Sequence, residues 1–104
     1  MIAMGMDQTR SQHTQLLKEL QEERAAALAR ISRRLEFLIA QLEATREQIA
    51  HASEEDRGPT IATYRELHQQ AVKYRWYLEV QREAIGLRHH QRIDEFYRIP
   101  PLEL

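Results

Sequence analysis

Cysteine is absent from this 104-residue sequence, and glycine and proline occur three times each. The absence of cysteine excludes a disulfide framework, a thiolate nucleophile and thiolate metal ligands. Because glycine and proline are the residues that most disfavour helix, their scarcity beside abundant Ala, Leu, Glu, Gln and Arg predicts a helical chain. No apolar run approaches the roughly 20 residues of a membrane span, so we expect a cytoplasmic protein without membrane contact.

A strong net charge of either sign is also missing, since the formal charge is −1. The chain as a whole is therefore not attracted to nucleic acid or to anionic lipid. Catalytic motifs are equally scarce, because there is no glycine-rich phosphate loop and no Ser-His-Asp arrangement on an elbow turn. A smooth pair of helices would offer no deep pocket for a small-molecule substrate. We therefore expect a protein that is not an enzyme and holds no cofactor.

Two stretches carry apolar residues at helical spacing. The first stretch contributes Leu28, Ile31, Leu35, Leu38, Leu42 and Ile49, with Thr45 as its polar member. The second contributes Tyr64, Leu67, Ala71, Tyr74, Leu78 and Ile85, with Gln81 as its polar member. When the two are aligned antiparallel, from Ile49 opposite Tyr64 to Leu28 opposite Ile85, every position of one stripe meets a position of the other. This match predicts an all-α fold, a long antiparallel two-helix coiled-coil hairpin.

The predicted boundaries depend on the few residues that interrupt helix. The Gly-Pro pair at 58–59 predicts a loop over residues 53–59, between a first helix at about 7–52 and a second at about 60–97. Gly86 predicts a bend in the second helix, which leaves a bent C-terminal helical segment. The Pro-Pro pair at 100–101 predicts an extended tail over residues 98–104. The whole chain is expected to form a single domain.

The C-terminal part is expected to contact the start of the chain. Beyond the bend, Phe96 falls in the seam register opposite Leu17. The tail carries three large apolar residues, which is unusual for a free end: Ile99, Leu102 and Leu104. We expect this tail either to pack against the first turns, near His13 and Leu16, or to serve as a docking peptide for another chain.

A second apolar stripe lies on the opposite side of the second helix, and we call it the outer stripe: Val72, Trp76, Val80 and Leu87. The back of the first helix is mostly small, with Phe37 as the exception, and Tyr77 adjoins Trp76. Three occupants fit the outer stripe: a second copy that completes a four-helix bundle, the chain's own C-terminal segment, or a helix of another protein. We expect the outer stripe, Phe37, Tyr77 and the three apolar tail residues to form a protein interface.

Basic residues form two clusters. Arg30, Arg33 and Arg34 are interleaved with glutamates and are expected to form ion pairs along the helices. The second cluster is less offset by carboxylates: Arg82, Arg88, His89, His90 and Arg92. Phosphate contacts from this second cluster would make the protein a nucleic-acid-binding accessory factor, which is the alternative prediction. The histidines, including the pair Glu47 and His51, are expected to be solvated surface residues, with no metal site.

The sequence favours a non-enzymatic protein–protein interaction module. In this prediction the protein is a small adaptor, assembly or scaffold subunit that self-associates and binds a protein partner through the Trp76 side of the second helix and the C-terminal tail. The physical reason is the surplus of apolar surface over what one hairpin seam buries. Nucleic-acid binding differs in its response to salt, because phosphate contacts weaken steeply as salt rises whereas apolar association hardly changes.

Overall fold

The computed structural model describes the backbone of residues 2–89 and 91–103, and the side chains of residues 8–89 and 92–103. Three helices follow in order: α1 (Ile2–His51), α2 (Glu54–Ala84) and the short α3 (Gln91–Phe96). The molecule is a rod of 80 × 24 × 14 Å. In the described residues, neither long helix contains an apolar, nearly uncharged window of the length that a bilayer crossing requires.

The predicted all-α hairpin is confirmed, since α1 and α2 pack side by side along the length of α2. The buried residues of α1 all belong to its predicted stripe: Leu35, Leu38, Leu42, Thr45 and Ile49. The buried residues of α2 likewise belong to its predicted stripe: Tyr64, Ala71 and Leu78. Towards the end of α2 the seam opens, because Leu28 is only partly buried and Ile85 is exposed.

The predicted start of the first helix is wrong by about one turn and a half, because α1 begins at Ile2 rather than near residue 7. That start was predicted from Asp7 and Thr9, which are residue types that cap helices, but they do so only where the residues before them leave the helical conformation. The residues upstream are mainly methionine, isoleucine and alanine, which do not interrupt a helix. The presence of a residue that can cap a helix is therefore not enough to predict that a helix begins there.

The predicted loop over residues 53–59 is wrong, because α2 already begins at Glu54. Ser53 is the N-cap: its hydroxyl oxygen accepts a hydrogen bond from the backbone N–H of Asp56 at 3.2 Å and donates to the Asp56 carboxylate at 3.1 Å. Three carboxylates follow in the first turn, where the helix dipole favours negative charge: Glu54, Glu55 and Asp56. The Ser-x-x-Asp spacing is the sequence signal that marks this boundary.

The Gly-Pro pair lies inside the second turn of α2 and does not break it. A residue before proline is normally pushed out of the helical region by a clash that involves its Cβ, and Gly58 has no Cβ. Pro59 removes one intrahelical hydrogen bond, the one its missing N–H would donate to the Glu55 carbonyl. Since this turn is exposed, water can satisfy that carbonyl.

The predicted extension of the second helix to residue 97 is also wrong, because α2 ends at Ala84 in a Schellman motif. Gly86 has a positive φ of 90°, which places it in the left-handed region that glycine adopts most readily. The N–H of Leu87 donates to the Arg82 carbonyl at 2.9 Å, and that of Gly86 to the Glu83 carbonyl at 3.0 Å. Gly86 therefore terminates α2 and turns the chain back instead of bending a continuous helix.

After this turn the chain runs back along α2, and we call residues 87–103 the returning segment. Its helix α3 buries Ile93, which is 1% exposed and belongs to the same core as Leu38. Phe96, which was predicted to close the seam opposite Leu17, is 73% exposed. That prediction failed because it assumed that the chain keeps its direction beyond Gly86. The returning segment instead lies against the hairpin at the end where α1 and α2 join.

Candidate interaction surfaces

The returning segment contacts a side of α2 that the apolar pattern of the sequence did not predict to be a packing surface. Arg75 forms an ion pair with Asp94 of α3. Tyr64 donates its hydroxyl proton to the Pro101 carbonyl at 2.6 Å, and Nε2 of His68 lies 3.1 Å from the Pro100 carbonyl. Because a carbonyl only accepts, this His68 nitrogen carries the proton.

Burial raises the pKa of Tyr64, and the nearby positive charge of Arg46 offsets part of that rise.

The C-terminal tail packs on its own hairpin, but not where it was predicted to pack. It contacts α2 near Tyr64 and His68, whereas the predicted site near His13 and Leu16 lies towards the opposite end of α1. Ile99 is half-buried and packs against the core, and its role in an external contact stays a prediction. Leu102 remains exposed and lines a groove of about 420 Å³ together with His68 and Val72. Leu104 lies outside the described residues.

Within α2, the outer stripe is exposed: Trp76 is 59% exposed, and Val72 and Val80 are exposed as well, with Val72 beside Leu102 at the edge of the returning segment. Leu87, which was predicted to belong to this stripe, follows the end of α2 and is part of the returning segment. The side of α2 that holds the returning segment carries Tyr64, His68 and Arg75, which are spaced by four and seven residues and share one helical face. Of the three occupants considered for the outer stripe, the chain's own C-terminal segment is thus excluded for the described residues.

Three aromatic rings of α2 contact one another in series and Arg34 links them to a fourth ring on α1, and we call this surface the aromatic face: Phe37, Tyr74, Trp76 and Tyr77. The ring of Tyr77 lies 5.6 Å from Tyr74, edge to face, and 5.6 Å from Trp76. The guanidinium of Arg34 joins the helices, since it lies 5.5 Å from the centre of the Phe37 ring and 5.9 Å from that of Tyr74. Sequence reasoning placed Tyr74 in the seam alone, whereas it also forms the edge of this surface.

Two cations border the aromatic face. Lys73 lies 5.7 Å from the centre of the Tyr77 ring, and Arg34 covers two rings instead of forming the glutamate pair that we expected. Each such cation–ring contact is worth about 0.5–1 kcal/mol at an exposed site. The ion pairs of Arg75 with Asp94 and of His51 with Glu47 involve neither of these two cations. Arg34 and Lys73 therefore place two positive charges beside the apolar rings.

The predicted basic cluster is only partly available to a ligand. Arg82 is half-buried, and its Nη2 donates to the His89 carbonyl at 3.3 Å across the turn that ends α2. This contact supports the turn, so Arg82 is committed to the fold. Arg88, His89 and Arg92 are exposed, and His90 lies outside the described residues. Nucleic-acid binding by the exposed residues stays a prediction.

The candidate metal ligands lie on the surface of the hairpin. His51 and Glu47 contact each other at 3.1 Å, one turn apart on α1, and both side chains are about three-quarters exposed. Within residues 8–89 and 92–103, no group of three or more histidine, aspartate and glutamate side chains is arranged to hold a metal ion.

The first half of α1 extends beyond the end of α2, and we call residues 8–27 the arm. Its large apolar residues are all exposed: Leu16, Leu17 and Leu20. A groove of about 460 Å³ lies where α2 ends, and both helices line it, α1 with Leu28 and α2 with Ile85. Sequence reasoning missed the arm because it placed the C-terminal segment there.

Comparisons with protein-family models, with curated proteins and with solved structures gave no match to this chain.

Proposed function

We propose that this protein is a non-enzymatic interaction module, an adaptor or scaffold subunit, that binds a protein partner through the aromatic face and the adjoining outer stripe. The observation that carries the proposal is that Trp76 stays exposed although the chain folds back along the same helix. The returning segment occupies the polar side of α2 and leaves the most apolar side open to solvent. Large exposed apolar surfaces of this kind are typical of interaction sites.

The composition of the aromatic face supports this role. Trp, Tyr and Arg are the residue types that contribute most to the energy of protein interfaces, and Trp76, Tyr77 and Arg34 lie together here. Fully burying a large apolar side chain contributes about 1.5–3 kcal/mol before ordering costs are subtracted. The rings are held by their neighbours, so binding orders few additional side chains.

The charges at the border define the chemistry of the partner. Arg34 and Lys73 are positive groups at the edge of an apolar centre. A partner that complements this arrangement presents an apolar ridge, such as a face of an amphipathic helix, flanked by carboxylates. The C-terminal tail, which the sequence suggested as a second docking element, is held by Tyr64 and His68 and takes no part in this proposal.

A comparison of three baits tests the proposal. Wild-type protein, Trp76→Glu/Val80→Glu and Phe96→Glu are immobilised and exposed to a lysate of the source organism, and bound proteins are quantified by mass spectrometry. Phe96 is the matched control because it is also a large exposed apolar residue, but it lies on α3. We expect a protein that the wild type and Phe96→Glu retain and that the double variant loses.

Trp76 also reports binding directly. Addition of the purified partner should shift its fluorescence to shorter wavelength, because the indole leaves water. Equal capture by all three baits, with helix content unchanged by circular dichroism, would contradict the assignment of the aromatic face as the binding surface.

A further inference from the structure

The arm of α1 and the returning segment carry apolar residues with mirrored spacing. The arm has three exposed leucines at steps of one and three residues: Leu16, Leu17 and Leu20. The returning segment has three apolar residues at steps of three and one: Ile93, Phe96 and Tyr97. Two antiparallel helices need this reversed spacing if their apolar residues are to meet at the same levels.

The mirrored residues also fit the register of the observed hairpin. Leu28 of α1 and Ile85 after α2 lie level with each other, since both line the groove at the end of α2. Leu20 lies eight residues before Leu28, and Ile93 lies eight residues after Ile85. If α2 continued as a helix beyond Ala84, Ile93 would therefore lie opposite Leu20.

Phe96 and Leu17 fit the same register, because each lies three residues further along its helix. In the observed conformation Phe96 is 73% exposed and Leu17 is 48% exposed. One polar layer, Arg24 with His89, would separate these residues from the existing seam. The Arg24 side chain is long enough to keep its guanidinium in water while its stem packs, so this layer does not prevent pairing.

We propose that the returning segment has two docking positions: the side of α2, where the structure shows it, and the arm of α1. In the second conformation Gly86 adopts helical angles, α2 continues to about residue 97, and the apolar residues of the segment cover the arm. The structure shows the first conformation, so the second is the minor state. This device is a two-state strap within one chain, with a single glycine as its hinge.

The two conformations exchange contacts of comparable kind. Docking on α2 buries Ile93 and adds the ion pair of Arg75 and the hydrogen bonds from Tyr64 and His68. Docking on the arm would bury Ile93 again, and with it three residues that are now exposed: Leu17, Leu20 and Phe96. Gly86 permits the exchange because glycine accepts both its observed φ of 90° and a helical φ.

The position of the segment determines which apolar surface the rod presents. Docked on α2, the segment covers the side that carries Tyr64 and His68 and leaves the arm open. Docked on the arm, it would cover the leucines and uncover that side of α2. The aromatic face contains no residue of the arm or of the segment, so this inference does not depend on the proposed function.

A distance between two spin labels locates the segment, and the absence of native cysteine makes the labelling specific. The labels are attached to Gln15→Cys on the arm and Arg98→Cys near the end of the segment, both at exposed positions. In the observed conformation the adjoining Pro100 contacts His68, which is level with Thr45. The labels are then about 45 Å apart at 1.5 Å per residue along α1. With the segment on the arm they are level, about 25 Å apart, since helices pack about 8–10 Å apart and each label adds its own length.

We expect mainly the long distance in the wild type. Gly86→Ala should raise the ratio of short to long distances by roughly tenfold, because alanine disfavours the left-handed conformation and favours helix. Adding Leu17→Glu/Leu20→Glu to this variant should remove the short distance. The labelled protein is diluted with excess unlabelled protein, so that only distances within one chain are measured.

The matched control is Ser11→Glu/Ala29→Glu, also combined with Gly86→Ala. These exposed positions lie nine residues from Leu20 in either direction, two and a half turns, and therefore on the opposite side of α1. The short distance should persist in this control. Three results overturn the proposal: a Gly86→Ala protein with only the long distance, a short distance that survives Leu17→Glu/Leu20→Glu, and a broad distribution with reduced helix content by circular dichroism. The last would mean that the segment detaches without docking on the arm.

Discussion

Ile93 and Phe96 provide the sharpest test of the way in which the chain folds back. They are both large apolar residues and lie three positions apart on α3, yet Ile93 is 1% exposed and Phe96 is 73% exposed. Replacing Ile93 with alanine removes three buried carbons, a transfer term of about 2 kcal/mol at roughly 0.8 kcal/mol per carbon. The cavity left behind adds to this, and measured changes of this kind span about 2–5 kcal/mol. Because α3 is short and can shift to fill the space, we expect about 2–3 kcal/mol.

Phe96→Ala is the matched control. Most of that ring is already in water, so we expect a loss below about 0.5 kcal/mol. For a domain of this size, 1 kcal/mol corresponds to about 4–8 °C in Tm, so Ile93→Ala should lower Tm by about 8–24 °C and Phe96→Ala by less than about 4 °C.

The assay is urea unfolding followed by circular dichroism and by Trp76 fluorescence, with trypsin cleavage at Arg88 and Arg98 as a local probe. If the segment detaches before the hairpin unfolds, Ile93→Ala should accelerate cleavage even where the dichroism changes little. A Phe96→Ala variant that is as destabilised as Ile93→Ala would refute the reversal of the chain at Gly86. It would instead support the continuous helix that the sequence suggested.

Three further predictions concern the ends of α2 and the attachment of the tail. Gly86→Ala should lower the free energy of unfolding by about 1–2 kcal/mol through backbone strain alone, because a Cβ at this position with φ of 90° meets no atom within 4 Å. Ser53→Ala should cost about 1 kcal/mol through loss of the N-cap. Both are measured by urea unfolding, and no change in stability would contradict either motif. Tyr64→Phe removes the hydroxyl that holds the Pro101 carbonyl and should cost about 1 kcal/mol, seen as faster proteolysis of the tail. The raised pKa of Tyr64 means that its contribution is fully present below about pH 10 and is lost as the pH rises through the folded-state pKa, a loss that Tyr64→Phe should abolish.

The hairpin seam could be predicted because the apolar residues that it buries recur at helical spacing in the sequence. Leu35, Leu38 and Leu42 recur at steps of three and four, and their burial confirms the stripe. The start of α2 could also have been predicted, because the spacing from Ser53 to Asp56 is typical of a helix N-terminus. The prediction instead followed the Gly-Pro pair, which was interpreted as part of a loop. That weighting was wrong because Gly58 has no Cβ to clash with the Pro59 ring, and the one hydrogen bond that Pro59 removes lies in an exposed turn near the start of α2.

The path of the returning segment could not be predicted in the same way. Its contacts are an ion pair at Arg75, side-chain hydrogen bonds from Tyr64 and His68 to backbone carbonyls, and one buried isoleucine. Contacts of this kind do not recur at a fixed spacing along the sequence. From the sequence alone, a polar helix face is interpreted as solvent-exposed. The direction of the segment depends on a single backbone angle at Gly86, and the sequence shows that a glycine is present but not which conformation it adopts.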